Sequence, residues 1–574
     1  MIRPAPYRPR DFLPTSLDMG EWSAIEPWYC VLEAQLENVK DRADLESWLA
    51  RHGELCAAIS EEGSWRHIAM TCQTDDPERE KAHLHFIENV EPHVRVREFA
   101  LARKLISLPA FRALPDYEYL VLRRKVETEV ALFREENVPL FTEESKMTQT
   151  YQKICGAMTA AWDGEERTLA RIATTLEETD RERRRLAFDV IARRRADDRD
   201  RLDELFDELR VLREKIAANA GFDNYRDFIF RKYERFDYTP EDCEKFQRAV
   251  ERCFVPIVRE VQRDQEKSLG VDRLRPWDLA VDPLNRPPLK PFTEVDQLIE
   301  KTQKIFTELD PMLAADFHLM RNNDLLDLAN RKGKAPGGYQ STLQEARLPF
   351  IFMNAVGQHR DVDTLLHEAG HAFHALASRD IFPIEHRHAP IEFCEVASMG
   401  MELLAMDKLD AFYSDEDHRR ARLDHLKGIM AVFPWIAQVD AFQHWIYAHP
   451  GHTRSDRTRA WLDLADRFGG IADWSGYEFA RESLWQRQLH IFEIPFYYIE
   501  YGIAQIGALG LWNASKSDFA GTLRKYRAAL ALGGSRPLPE LFAAAGLAFD
   551  LSEKSLAPLA EALAKEYRRL SAAA

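Results

Sequence analysis

Five consecutive residues, His367-Glu368-Ala369-Gly370-His371, constrain this chain more than any other stretch. They call for a helix, because residues i and i+4 then share a face and both imidazoles can reach one metal ion. Glu368 falls beside that face, where a carboxylate can take a proton from a metal-held water. The flanking residues agree. Over Asp361–Arg379, Val362, Leu365, Leu366, Ala369, Phe373 and Leu376 recur at the spacing of an amphipathic helix, and no proline interrupts them. An apolar face under the two histidines predicts a buried, rigid metal site. Asp363, one turn before His367, is placed to accept the other N–H of that ring.

Such a site needs a third protein ligand, with one position left open for water. The next acidic stretch, Pro390–Met406, also has helical spacing. Glu395 and Glu402 lie on one face of it, and Glu392 sits one turn before Glu395. Spacing alone leaves all three as candidates. Two histidines and a carboxylate make zinc the default ion, although cobalt or manganese fit the same donors.

HEAGH followed by FCEVASMGMELL resembles the thimet oligopeptidase and oligoendopeptidase F family of zinc metallopeptidases, in its oligoendopeptidase F branch. The resemblance implies one zinc ion per chain on His367, His371 and Glu395, with Glu368 as general base. Glu402 and Asp363 would support the ligands, as would His388 near the site; His374 matches a further site neighbour with a packing role. Ala397 stands where many members have proline. Upstream, Gly337, Gly338 and Tyr339 lead towards Leu348–Asn354 and look like the family's Gly-rich loop and cleft-edge strand. Glycines there permit close backbone approach, and an edge strand can pair with an extended peptide. Downstream, His490 and the Tyr497-Tyr498-Ile499-Glu500-Tyr501 stretch look like the family's His–Tyr–Tyr segment. The resemblance gives oxyanion-stabilising roles to His490, Tyr498 and Tyr501, with Tyr497 adjacent as a substrate contact. Taken as residues alone, such a cluster is more often aromatic core. The family resemblance also implies a mainly α, bilobed fold with a deep central channel and a small antiparallel sheet beside the active-site helix. Oligopeptides would enter such a channel and folded proteins would not.

Beyond the motifs, the chain excludes more than it specifies. Its 574 residues suffice for two or three lobes. Residues 17–220 read as successive charged helices, giving an expected N-terminal helical region over 1–220 and a catalytic domain over 221–574. The basic runs of 181–201 are interleaved with acids, as on a solvated helix with i, i+4 pairs. A net charge of −17 argues against nucleic-acid or anionic-membrane partners and would suit cationic peptides if concentrated in a cleft. The seven cysteines show no CxxC spacing and fit a reduced, cytoplasmic protein. No stretch approaches 18 apolar residues, so no membrane span is expected, and the first residues lack the apolar run of a secretory signal. Oligomeric state is not encoded in any motif.

The expectation is therefore a zinc endopeptidase acting on short oligopeptides. A zinc carboxypeptidase on a similar scaffold is the nearest competitor. It would need a cationic group for the terminal carboxylate, and the sequence singles out none. A catalytically silent peptide-binding protein would have lost Glu368 or a ligand, and none is lost.

Overall fold

The computed structural model describes residues 3–284 and 286–572. Met1, Ile2 and Asn285, the last inside the Pro-rich stretch of 273–291, lie outside the described residues, as do the last two of the chain. Helices dominate. The backbone forms two compact units, each assembled from three separate segments. The first holds Met1–Ala131, Lys290–Arg422 and Ala504–Phe549; the second holds Leu132–Leu289, Leu423–Ile503 and Asp550–Ala574. Neither follows the contiguous division at residue 220 that the sequence suggested. Composition registers local helix type, whereas these units are set by contacts between distant segments.

In the first unit a long helix, α1 (Arg42–Cys72), starts at Asp41, whose side chain accepts from the Asp44 N–H at 3.0 Å. A three-stranded sheet follows: β1 (Leu326–Ala329), β2 (Tyr339–Leu343) and β3 (Leu348–Ala355), in the order β1-β3-β2. The β2–β3 pair is antiparallel, but β1 runs parallel to β3. The sheet is thus mixed rather than antiparallel throughout. The residues between Leu343 and Leu348 close a tight hairpin, with Arg347 at φ 53°, while the long loop after β1 returns the chain to the far edge. Lys334 fastens that loop. Its ammonium donates to the carbonyls of Asp327, Ala329 and Met353 and pairs with Asp327 Oδ1 at 3.0 Å.

Two helices pack beside the sheet: α2 (His359–Ser378) and α3 (Ile391–Ala405). Asp361 starts α2 by accepting the backbone N–H groups of Val356 and Gln358 at 2.8 and 2.9 Å. Val362, Leu365, Leu366, Ala369, Phe373 and Leu376 are buried, as their periodicity predicts. The two helices meet at Gly370. A Cβ there would lie 2.6 Å from both the Ala397 carbonyl oxygen and the Ser398 Cα, so only glycine admits this approach. A further helix, α4 (Phe519–Leu530), fixes the other side of the contact, since Tyr526 donates its hydroxyl to the Ala397 carbonyl at 2.6 Å. The Gly533-Gly534 loop after α4 lies against His386–Ala389, and Gly534 N–H donates to the His386 carbonyl at 2.8 Å.

Among its described residues the second unit is helical apart from one antiparallel hairpin, Thr159–Trp162 with Glu165–Thr168. Its helix Pro240–Cys253 begins with a capping box: Asp242 Oδ2 accepts from the Thr239 N–H at 3.0 Å, and Pro240 occupies the first turn. Asp278, fully buried, accepts from the guanidinium of Arg184 at 3.0 Å and that of Arg181 at 2.8 Å. The acids and bases of 181–201 are thus partly internal ties as well as a solvated face. Among the described residues no helix is long and apolar enough to cross a membrane.

Candidate active site

The sequence of α2 places His367 and His371 on one face, and α3 brings Glu395 opposite them. Nε2 of His367 lies 3.4 Å from Glu395 Oε2, and Nε2 of His371 lies 3.7 Å from the same oxygen. These three side chains form a group able to hold a metal ion; Glu392, although buried, does not join it. Of the three carboxylates that spacing left open, Glu395 is the one that lies against both histidines. Ser398, one turn along α3, donates its hydroxyl to Glu395 Oε2 at 3.0 Å and fixes the carboxylate. Nδ1 of His367 donates to Glu402 Oε1 at 2.7 Å, leaving the Nε2 lone pair aimed at the group. That role was expected of Asp363, which instead faces Nε2 of His359 at 3.5 Å. Helical side chains lean towards the N-terminus, which takes the Asp363 carboxylate back to His359, while Glu402 on the crossing helix meets the His367 ring.

The electrostatics suit a cation. Burial opposes charge on His367, but hydrogen bonds to Glu395 and Glu402 outweigh it and raise its pKa well above the usual imidazole value. Carboxylates that attract a proton there attract a metal equally. Burial pushes His371 down to about 4, keeping it in the neutral form that ligates. Burial also pushes the Glu368 carboxyl up to about 7, with Glu395 adding to it, while the backbone N–H of Gln340 on β2 donates to Glu368 and acts in the other direction. His374, one turn further along α2, is buried, held near 3 and packed against Phe393.

These groups line a cavity of about 520 Å³ together with Gly338–Thr342, the open edge of β2, and with His374, His388 and Cys394. The Cys394 thiol itself donates to the Ala389 carbonyl at 3.5 Å, away from Glu395. Gly338 is close-packed, since a Cβ would stand 3.4 Å from the Phe352 carbonyl oxygen. Gly337 has φ 96°, and its carbonyl accepts from Asn354 at 3.0 Å. Tyr339 stacks on Phe352 at 4.8 Å, and its hydroxyl is bound to Thr71 Oγ1 at 2.6 Å, so that ring serves the strand's placement.

His490, Tyr497, Tyr498 and Tyr501 form a separate cluster within the second unit. The His490 ring lies 4.8 Å from Tyr498 and 5.8 Å from Tyr501, and the two tyrosines lie 5.5 Å apart. Buried arginines hold the segment. Arg213 donates to the carbonyls of Ile491 and Phe492, and Arg235 donates to the carbonyl of Phe496 and pairs with Glu500 at 2.9 Å. Phe496 takes φ 66°, a strained value for a bulky residue, and its N–H donates to Gln443 Oε1 at 2.7 Å. Two residues unsignalled by sequence set the tautomer of His490. Trp435 donates to Gln488 Oε1 at 2.9 Å, which turns the Gln488 amide nitrogen towards His490 Nδ1 at 2.6 Å. Nδ1 therefore accepts, and Nε2 carries the proton. Burial holds His490 at about 4, so it is a neutral donor.

A His–Glu–x–x–His helix with a crossing-helix carboxylate, set beside an edge strand in a helical fold, is the site of the HExxH metallopeptidase class. Within that class, the chain belongs to peptidase family M3, whose family model matches residues 174–561. Group B oligopeptidase PepB of Streptococcus agalactiae is 22% identical over 274 residues, 47% of this chain and 44% of that protein. Oligopeptidase PepF of Bacillus subtilis is 29% identical over 188 residues, 32% of this chain and 27% of that protein. In these matches the chain spans less than half the length of either curated relative. The solved structure of PZ peptidase A with an inhibitor superposes with a TM-score of 0.88 at 28% identity, covering 97% of this chain and 99% of that one.

Proposed function

We propose that this chain is a zinc-dependent endopeptidase of short oligopeptides. The observation that carries the reading is the convergence of His367 Nε2 and His371 Nε2 on Glu395 in the wall of a cavity bordered by a free strand edge. The donors fit zinc: two imidazoles and one carboxylate, with Glu402 fixing the tautomer of one ring. When bound there, zinc supplies Lewis-acid polarisation of a carbonyl and lowers the pKa of water. The residues do the rest. Glu368, held by the Gln340 N–H, takes the proton of the attacking water and passes it to the leaving amine. The outer edge of β2, free of any strand in its sheet, aligns an extended peptide through backbone hydrogen bonds. Neutral His490, donating from Nε2, and the hydroxyls of Tyr498 and Tyr501 are the donors assigned to the developing oxyanion; their fixed tautomer and strained support favour that role over simple packing.

A peptide acylated at its N-terminus and amidated at its C-terminus tests the reading. The expected result is cleavage at an internal bond, read by mass spectrometry of the products. Cleavage restricted to peptides with a free C-terminus would replace the endopeptidase by a carboxypeptidase.

A further inference from the structure

The cavity that holds His367, Glu368 and His371 is also lined by three guanidinium side chains, Arg347, Arg379 and Arg387, with Gln344 and Ser378 beside them. Arg347 and Arg387 also border a neighbouring cavity that includes Arg8 and Asp380. Three carboxylates stand near them, and Asp316 lies in the field of Arg379. Asp380, half exposed, is shared by Arg347 at 2.9 Å, Arg8 at 3.2 Å and Arg379 at 3.9 Å. Arg387 donates to two neutral groups, the Ile381 carbonyl at 3.2 Å and the Gln344 carbonyl at 3.3 Å. Glu385 lies in its field but faces His52 Nδ1 at 3.4 Å. Tyr7 packs under Arg347 and Arg379, with ring-to-guanidinium distances of 4.8 and 5.1 Å.

Arg8, Arg347, Arg379 and Arg387 thus face Asp316, Asp380 and Glu385, which leaves one positive charge in excess at this point. Burial and the neighbouring Arg347 lower Arg387 to about 10, which still leaves it charged at neutral pH. Uncompensated charge in a half-buried wall is unfavourable unless something else meets it. The wall belongs to a chain whose net charge is −17, so the local field opposes the global one. Guanidinium forks match a carboxylate by paired hydrogen bonds better than any other anion carried by an unmodified peptide.

We propose that Arg347, Arg379 and Arg387 form a carboxylate-binding subsite of the active-site cavity, so that the favoured substrates are acidic peptides rather than the cationic ones suggested by overall charge. The carboxylate is either an Asp or Glu side chain or the peptide's own C-terminus. The inference rests on the peptidase reading of the same cavity, and its test is chosen to fail separately.

The test reads binding to the zinc-loaded Glu368→Gln enzyme, by fluorescence anisotropy of labelled peptides of equal length. One set is blocked at both ends and carries Asp, Asn or Lys walked through each position; one Asn peptide has a free C-terminus. We expect one Asp position, or the free terminus, to lower Kd by about tenfold relative to its neutral counterpart, and Lys to raise it. The gain should shrink in high salt. In an Arg347→Gln, Arg379→Gln double variant the acidic-to-neutral ratio should approach one, and the Arg379→Lys variant, which keeps the charge and loses the fork, should fall between that and the parent enzyme. Arg8→Gln, which lies outside this cavity's lining, should leave the ratio in place. Equal affinity for Asp, Asn and Lys at every position and for both termini would overturn the proposal, as would a ratio unchanged in the double variant. Gain with blocked Asp peptides assigns the side chain, and gain with the free terminus alone assigns the C-terminus. Tight binding of acidic peptides that the wild type never cleaves would refute the peptidase reading while upholding the subsite.

Discussion

Gly370→Ala is expected to destabilise the first unit and to strip its metal, although alanine is the better helix former. Intrinsic propensity favours the substitution by about 1 kcal/mol. Against it, the new methyl would sit 2.6 Å from the Ala397 carbonyl oxygen and the Ser398 Cα, both backbone atoms of α3. No side-chain rotation relieves such contacts, so the helices must separate by most of an ångström. Overpacking of this kind costs about 3 kcal/mol or more, which outweighs the propensity gain. The displacement also carries Glu395 away from His367 and His371, which it now meets at 3.4 and 3.7 Å. Thermal unfolding together with zinc content after dialysis reads both effects. A variant with wild-type stability and full zinc would mean that the α2–α3 contact is not as close as described.

Glu368→Gln is expected to lower kcat by about 10²–10⁴-fold, the usual worth of a positioned proton-transfer group. The amide keeps an oxygen for the Gln340 N–H and nearly the same shape, so the cavity should be undisturbed. It cannot take up a proton. Zinc content should be unchanged, because Glu368 is not among the three converging donors, and KM should move little. Steady-state kinetics on an internally quenched peptide decides. A kcat within threefold of the wild type would remove Glu368 from the role of base.

What the sequence carried and what it did not divides along physical lines. Helical periodicity placed Asp361–Arg379 and Pro390–Met406 within two residues of the observed helices, His359–Ser378 and Ile391–Ala405. The strand over Leu348–Asn354 was also anticipated, from the family resemblance, but it lies at the centre of the sheet and Tyr339–Leu343 forms the edge beside the site. The sheet's mixed order was not legible, because β1 pairs with a strand more than 20 residues away, and pairing direction leaves no local trace. The crossing of α2 and α3 decided that Glu402, and not Asp363, holds His367. Gln488 and Trp435 gave no signal, since a glutamine and a tryptophan gain their meaning only from the chain Trp435–Gln488–His490 that the fold assembles. Arg347, Arg379 and Arg387 are the cationic groups that the sequence could not single out. They come together from the end of a hairpin, the end of α2 and the loop that follows it, each unremarked in its own context.

The most direct measurement of the central claim is zinc stoichiometry paired with peptide cleavage, before and after chelation, in the wild type and in His371→Ala. The account predicts one zinc per wild-type chain, loss of cleavage on chelation, recovery on adding zinc back, and neither zinc nor cleavage in His371→Ala. Cleavage that survives complete removal of metal, or a full zinc equivalent in His371→Ala, would contradict it.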